Sequence, residues 1–247
     1  MENDKIRQVA ALTTALGQVA VPLLLFAAGY AGPGTELTSD SINAAMPAGY
    51  AFSIWWVIFA LAIYSAIIGL KADQLTHPGF RSIGWLMAAL YGLAMLWQMI
   101  AWGGPPWATV VVIWGMLIVA VIAFIRATQF RDDQRWRRWV IPGLGLYAGW
   151  VSAATWVNTA DVLPLYGIGP FGLSAQGVGV AVIAAVTLTA ALVLCAARGN
   201  RAYAVAVAWA LVAVIVDAGA ALTPVTIASV VALLAVVAAT FIFRSVR

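Results

Sequence analysis

LYAGWVSAATWVN, residues 146–158, lies in an apolar run long enough to cross a membrane. The stretch nevertheless contains Tyr147, Trp150, Trp156 and the amide of Asn158. A helix that only faces lipid has little use for an amide, because polar groups are costly in hydrocarbon. The stretch therefore indicates a membrane helix with a function beyond spanning the bilayer, and the rest of the chain indicates what that function is.

The whole chain has the composition of a membrane protein. Hydrophobic residues make up 64% of it, charged residues 9%, and the mean hydropathy is +0.98. Soluble domains are about half apolar and about a quarter charged. Apolar stretches of about 20 residues, enough to cross a hydrocarbon core, recur along the chain. The sequence predicts an all-α integral membrane protein, an eight-helix transmembrane bundle with helices near 9–30, 50–70, 82–103, 106–126, 139–159, 176–197, 201–221 and 224–244.

Basic residues mark one set of helix ends. Every Lys and Arg falls before the first predicted helix, at or beyond the end of the eighth, or in or at the edge of an alternate connection, and Lys5 and Arg7 are expected to precede helix 1. The connections 31–49, 104–105, 160–175 and 222–223 contain no Lys or Arg. By the positive-inside rule both termini are expected in the cytoplasm, with the protein in a bacterial inner membrane. The net charge of +4 then reflects topology and contact with the lipid bilayer, not nucleic acid.

Few residues offer catalytic or metal chemistry. His77, the one histidine, is expected to be a solvated residue in a connection, and Cys195 alone makes no metal site. Lys5 and Lys71 lie outside the predicted helices, which excludes a buried lysine Schiff base. We predict no catalytic and no metal residues; enzyme activity stays open only as light-driven degradation of a bound ligand. Asp217, the one carboxylate predicted inside a helix, is an open functional candidate.

Aromatic residues concentrate in the first five predicted helices. Of the 12 tryptophans, only Trp209 lies after residue 175. At about 100° per residue, Tyr147, Trp150, Ala154 and Asn158 share one side of helix 5. We therefore predict a five-helix aromatic unit at 1–160 and three additional transmembrane helices at 161–247.

Two interpretations of these aromatics stay open. A belt at the membrane interface explains Trp102 and Trp107. A ligand pocket explains better why Trp97, Gln98 and Trp150 lie deeper, since pockets combine apolar walls with a few polar groups. The candidate ligand-binding residues are Phe52, Trp55, Trp56, Tyr91, Trp97, Gln98, Tyr147, Trp150, Ala154 and Asn158.

Three stretches resemble a known family. PAGYAFSIWWVIFALAIY (47–64), LYGLAMLWQMIAW (90–102) and LYAGWVSAATWVN are similar to the second, third and fifth helices of the tryptophan-rich sensory proteins, also called translocator proteins. The resemblance implies a five-helix bundle that often dimerises and that binds porphyrins, other tetrapyrroles, sterols and synthetic aromatic ligands. It also implies that Trp150 and Ala154 are pocket walls and that either Trp55 or Trp56 is the helix-2 tryptophan.

The chain departs from that family in four places. The Lys-Pro-x-Trp pattern before helix 2 is absent, and the helix-3 asparagine position holds Ala94. No Lys or Arg follows Tyr166 to form a sterol motif, and three further helices follow the fifth. The role of the missing amide would pass to Gln98. We expect a membrane receptor or binding protein for a flat hydrophobic ligand, foremost a tetrapyrrole, with no obligatory cofactor. A transport or sensory role, a homodimer, an accessory subunit of a larger membrane complex and a small-solute transporter remain alternatives.

Overall fold

The computed structural model describes residues 2–29, 43–169, 172–219 and 221–245. Within these residues the chain is helical and contains no strand. The helices are α1 (Glu2–Ala27), α2 (Ile54–Leu70), α3 (Pro78–Gly103), α4 (Pro106–Ala127), α5 (Ile141–Val162), α6 (Ala175–Ala196), α7 (Arg201–Asp217) and α8 (Pro224–Ser245). Short 3-10 turns (Gly49–Ser53, Thr128–Phe130 and Leu163–Tyr166) and a π-helical turn (Trp136–Val140) adjoin them. The predicted eight-helix, all-α fold is confirmed.

Seven helical segments of the described chain are long and apolar enough to cross a membrane. They contain α1 to α6 and α8, and the turns on either side of α5 lengthen that segment to 31 residues. Helix α7 has 17 residues, fewer than any of these seven segments and fewer than the roughly 20 that a span usually takes.

The first helix begins earlier than the sequence indicated. It starts at Glu2, so Lys5 and Arg7 lie inside α1, and the prediction that they precede it is wrong. Arg7 is only 6% exposed. The reason is electrostatic: the Asp4 carboxylate lies 2.9 Å from Arg7 and 2.8 Å from Arg81, so the buried end of α1 contains paired charges.

The chain forms two compact units. Unit 1 comprises Met1–Gly32 and Trp55–Ala148, and unit 2 comprises Pro33–Ile54 and Gly149–Arg247. Helix α5 is therefore divided between them, with its first part in unit 1 and its second part in unit 2. The division at residue 160 expected from the sequence stays a prediction.

Unit 1 packs α1 and α4 against α3. The buried stripe of α1 consists of Gln8, Ala11, Ala15 and Gln18, each 0% exposed. Spacings of three and four residues place them on one face of the helix. The interior of unit 1 thus receives two amides, separated along α1 by alanines that contribute no more than a methyl group.

Two connections of unit 1 are joined by His77, Trp136 and Asp73. The Nδ1 atom of His77 accepts a hydrogen bond from the Gly79 amide (3.0 Å) and caps α3, while its ring stacks on Trp136 with centroids 5.1 Å apart. His77 is therefore not the solvated residue that the sequence predicted. The Arg135 guanidinium hydrogen-bonds Asp73 and holds the pKa of that carboxyl below its ordinary value. These contacts tie the α2–α3 connection to the segment that precedes α5.

Unit 2 packs the second part of α5 against α7, and α8 against α6 and α7. Gly149 permits a close approach of α5 to α7, because a Cβ at this position would lie 2.5 Å from the Tyr203 carbonyl oxygen. Next to it, the Tyr203 hydroxyl donates to Ser152 Oγ at 2.9 Å. On the far part of α7, Trp209 Nε1 donates to the Ala51 carbonyl at 2.9 Å. The three C-terminal helices thus share a core with the end of α5.

Candidate ligand-binding site

Four aromatic side chains of α2, α3 and α5 meet inside unit 1. Trp55 stacks on Phe59 one turn along α2, with centroids 5.2 Å apart. The Tyr147 ring lies 5.7 Å from Trp55 in an edge-to-face arrangement and 5.8 Å from Tyr91. Such pairs add attraction beyond the burial of apolar area. We call Trp55, Phe59, Tyr91 and Tyr147 the aromatic cluster.

Two glutamines border the aromatic cluster. The Tyr147 hydroxyl donates to Gln18 Oε1 at 3.0 Å, and Gln98 Nε2 donates to the Gln18 carbonyl at 3.1 Å and to the Ala94 carbonyl at 3.1 Å. Gln18 is 0% exposed, and within the described residues its Nε2 has no hydrogen-bond partner. An N–H donor that is buried beside aromatic rings is suited to orient a ligand acceptor.

The cluster contains some of the residues predicted from the sequence and not others. Tyr91, Tyr147 and Gln98 lie together with Trp55, whereas Trp56 is 59% exposed. Trp97 is half-buried on α3, directly before Gln98. The structure therefore places Trp55, and not its neighbour, against the interior of unit 1.

Sequence reasoning missed Gln18. The sequence did contain an indication of its burial: Gln18 is a polar residue in an apolar helix, and it lies on the same face as Gln8, Ala11 and Ala15. What the sequence did not contain was the identity of its partner, Tyr147, which lies 129 residues further along the chain.

The remaining predicted residues belong to unit 2. Trp150 is 2% exposed, and its ring contacts Phe52 edge-on with centroids 5.7 Å apart. Ala154 and Asn158 follow one and two turns later on α5, and both are half-buried. Phe52 itself is 41% exposed. Unit 2 thus brings Phe52 and Trp150 together, with the small residue and the amide on the same stripe of α5.

One of the two described carboxylates of unit 2 lies differently from the expectation. Asp217 is the last residue of α7 and is exposed, and its functional role stays a prediction. Asp161, assigned from the sequence to a connection, occupies the last turn of α5, and the Asn43 side chain lies near its carboxylate. Asn43 is 1% exposed. The reason is the length of α5, which continues three residues past the predicted end at 159.

In the part of the chain that the structure describes, no group of three or more His, Cys, Asp or Glu side chains is arranged to hold a metal ion. The polar chemistry near the aromatic cluster consists instead of amides and hydroxyls. These groups donate and accept hydrogen bonds at neutral charge. They can orient a ligand within a membrane without placing an unpaired charge there.

The comparison with known families agrees with these features. The sequence model of the TSPO-like protein family matches residues 8–243, so the match extends from α1 into α8 and includes the three C-terminal helices. No curated protein and no solved structure matches the chain. The resemblance read from the three aromatic stretches is thereby confirmed. The chain belongs to the TSPO-like protein family and is an integral membrane protein with a role related to binding or transport.

Proposed function

We propose that the protein binds a flat hydrophobic ligand, a tetrapyrrole such as a porphyrin, at the aromatic cluster of unit 1. The observation that supports this proposal is the position of Tyr147. Its ring contacts Trp55 and Tyr91 while its hydroxyl is held by Gln18. A tyrosine fixed at both its ring and its hydroxyl forms a rigid aromatic wall.

The physical basis of binding is burial of a flat ring system against such walls. Aromatic side chains contribute large apolar areas and prefer offset or edge-to-face contact with other rings. The Gln18 Nε2 donor would orient the ligand through a hydrogen bond to a carbonyl or carboxylate oxygen on its rim. In a medium of low dielectric constant such a bond is strong, because little water competes for it.

The test is a titration with protoporphyrin IX. Purified protein in lipid nanodiscs would be titrated while tryptophan fluorescence quenching and the Soret band are followed. We expect Trp55→Leu to weaken saturable binding about tenfold, which corresponds to about 1.4 kcal/mol. The matched control is Trp56→Leu, which removes an exposed tryptophan from the next position of α2 and should leave the affinity close to that of the wild type. Equal effects of the two substitutions would contradict the proposal.

The residues of unit 2 form a separate set in the same titration. The family resemblance supports Trp150 and Ala154 as ligand-contacting residues, together with Phe52 and Asn158. We expect Trp150→Leu and Ala154→Phe to weaken binding. If these two variants weaken it and Trp55→Leu does not, the aromatic cluster is the wrong site. If no variant and no wild-type protein binds saturably, the accessory-subunit alternative takes precedence, and co-purification with a membrane complex would test it.

We also propose that the basic helix ends face the cytoplasm of a bacterium. The support is the distribution of charge, since the connections 104–105, 160–175 and 222–223 contain no Lys or Arg. A reporter that fluoresces only in the cytoplasm, fused after Arg247, should be active. A periplasmic phosphatase fused at the same position should be inactive, and the reverse pattern would refute this orientation.

A further inference from the structure

Four buried polar side chains lie on the N-terminal part of α1, on α2 and in the α2–α3 connection, outside the aromatic cluster. Arg7, Gln8, Ser65 and Gln74 are 6%, 0%, 2% and 6% exposed. Each has at least one polar atom without a hydrogen-bond partner among the described residues. These atoms are Arg7 Nε, both amide heavy atoms of Gln8, Ser65 Oγ and Gln74 Oε1. Polar atoms inside a membrane protein are rarely left without partners, because lipid offers none.

Glycines on two neighbouring helices make room for these side chains. A Cβ at Gly69 of α2 would collide with the Gln8 amide, and a Cβ at Gly84 of α3 would lie 2.8 Å from Arg7 Nε. Ser65 precedes Gly69 by one turn and shares its face of α2. The side chains of α1 therefore fill spaces that α2 and α3 leave between them.

These four polar side chains adjoin the α2–α3 connection. Arg7 Nη2 donates to the Leu75 carbonyl at 3.4 Å, and Leu75 follows Gln74 directly. Leu75 is half-buried, and Lys71 at the other side of the connection is exposed. Buried polar groups thus occur in the connection, on the facing part of α1 and at Ser65 on α2.

Asp4, Arg7 and Arg81 together carry one net positive charge. The Asp4 carboxylate accepts hydrogen bonds from Nε and Nη2 of Arg81, at 3.0 and 2.8 Å, and also pairs with Arg7 at 2.9 Å. Two guanidinium groups therefore share one carboxylate. The excess of one positive charge favours small anions over small cations.

We propose that Arg7, Gln8, Ser65 and Gln74 line a hydrated vestibule, open at the α2–α3 connection and closed near Ser65, that admits water and small anions. The mixture of donors and acceptors suits water, which usually makes about three hydrogen bonds when buried. Gln8 and Gln18 are separated by about 15 Å along α1, at 1.5 Å per residue. The vestibule is therefore a site distinct from the aromatic cluster and does not depend on the proposed ligand.

The test uses cysteine labelling, because Cys195 is the one native cysteine. In a Cys195→Ser background in nanodiscs, Ser65→Cys would be compared with Ile68→Cys, which is likewise 2% exposed but replaces an apolar side chain on the same helix. The reagents are a negatively charged sulfonatoethyl and a positively charged trimethylammonium-ethyl methanethiosulfonate. We expect the anionic reagent to label Ser65→Cys at least about tenfold faster than Ile68→Cys, and faster than the cationic reagent does. Equal labelling of the two cysteines would overturn the proposal.

We assign the charge preference of the vestibule to Arg7. In the Ser65→Cys protein, Arg7→Gln should abolish the preference for the anionic reagent, and Arg7→Lys should retain it. Both variants would first be compared with the parent by size-exclusion chromatography, so that misfolded protein is not scored. An anion preference that persists in a folded Arg7→Gln variant would show that Arg7 does not line the vestibule, and the proposal would be wrong.

Discussion

At the scale of single residues, Tyr147 combines two kinds of contact that can be separated by one substitution. Tyr147→Phe keeps the ring contacts with Trp55 and Tyr91 but removes the donor to Gln18 Oε1. Tyr147 and Gln18 are each at most 1% exposed. The Gln18 Oε1 acceptor would therefore be left buried and unsatisfied, which costs about 1–3 kcal/mol. We expect a lower midpoint of thermal unfolding in detergent.

The control for this prediction is Tyr64→Phe. Tyr64 is 39% exposed on α2, so the loss of its hydroxyl should change the midpoint much less. If Tyr147→Phe is as stable as the wild type, the hydrogen bond to Gln18 contributes nothing to the fold, and the rigid wall inferred at Tyr147 loses its basis.

The choice between adjacent residues is where sequence reasoning reached its limit. Trp55 and Trp56 have the same chemistry and differ by about 100° around the helix axis. Their helix is apolar on all sides, so no polar face in the sequence indicates which tryptophan is interior. Only the packing of Tyr147 against Trp55 distinguishes them. Gln18 illustrates the same limit, since its importance depends on a partner from another helix.

At the scale of helices, glycines determine how closely two elements of unit 2 approach. Gly149→Ala would place a Cβ 2.5 Å from the Tyr203 carbonyl oxygen and 2.9 Å from Ala206 Cβ. Backbone cannot move aside as a flexible side chain does, so α5 and α7 would have to separate. We expect a loss of about 1–3 kcal/mol, the usual cost of overpacking, seen as a lower unfolding midpoint.

The matched control is a glycine-to-alanine substitution at a helix position where the added methyl group meets no close neighbour. At Gly115 of α4, an added Cβ would have Leu93 Cδ1 as its nearest neighbour, at an ordinary 3.7 Å. Gly115→Ala should therefore be neutral or stabilising by up to about 1 kcal/mol, since alanine favours helix more than glycine does. Equal destabilisation by both substitutions would mean that the close α5–α7 contact does not govern the result.

The existence of the helices was predictable, but several of their ends were not, and two of these have an identifiable cause. Apolar runs of the right length mark every helix, because lipid requires an apolar surface along the whole span. The start of α1 was missed because Asp4 and Arg7 look like residues of a connection until their pairing with Arg81 is known. The end of α5 was missed for a related reason, since Asp161 is accommodated by Asn43 from a distant segment.

At the scale of the whole molecule, composition predicts the class of fold but not the division into units. The apolar content and the charge pattern lead directly to a helical membrane protein. The division depends instead on contacts such as Gly149 with Tyr203 and Trp156 with Thr189, which assign the end of α5 to the C-terminal helices. These contacts arise from close backbone approach and single hydrogen bonds, which leave little trace in a hydropathy pattern.

A truncation tests whether the first five helices are independent. A chain of residues 1–168 retains all of α5 but lacks the Tyr203 hydroxyl that donates to Ser152 and the Thr189 hydroxyl that accepts from Trp156 Nε1. Gly149 would also lose the helix that it packs against. The face of α5 that normally packs and forms hydrogen bonds would then be exposed to lipid. We expect this fragment to aggregate on extraction into detergent, as judged by size-exclusion chromatography.

Co-expression of residues 169–247 provides the control, because it restores the missing contacts without joining the chains. The two fragments should then purify together as one monodisperse species, whereas co-expression with 169–247 carrying Tyr203→Leu should recover less of it. A monodisperse 1–168 fragment that unfolds cooperatively alone would contradict this expectation. It would instead support a five-helix unit ending near residue 160, with the last three helices as an addition to it.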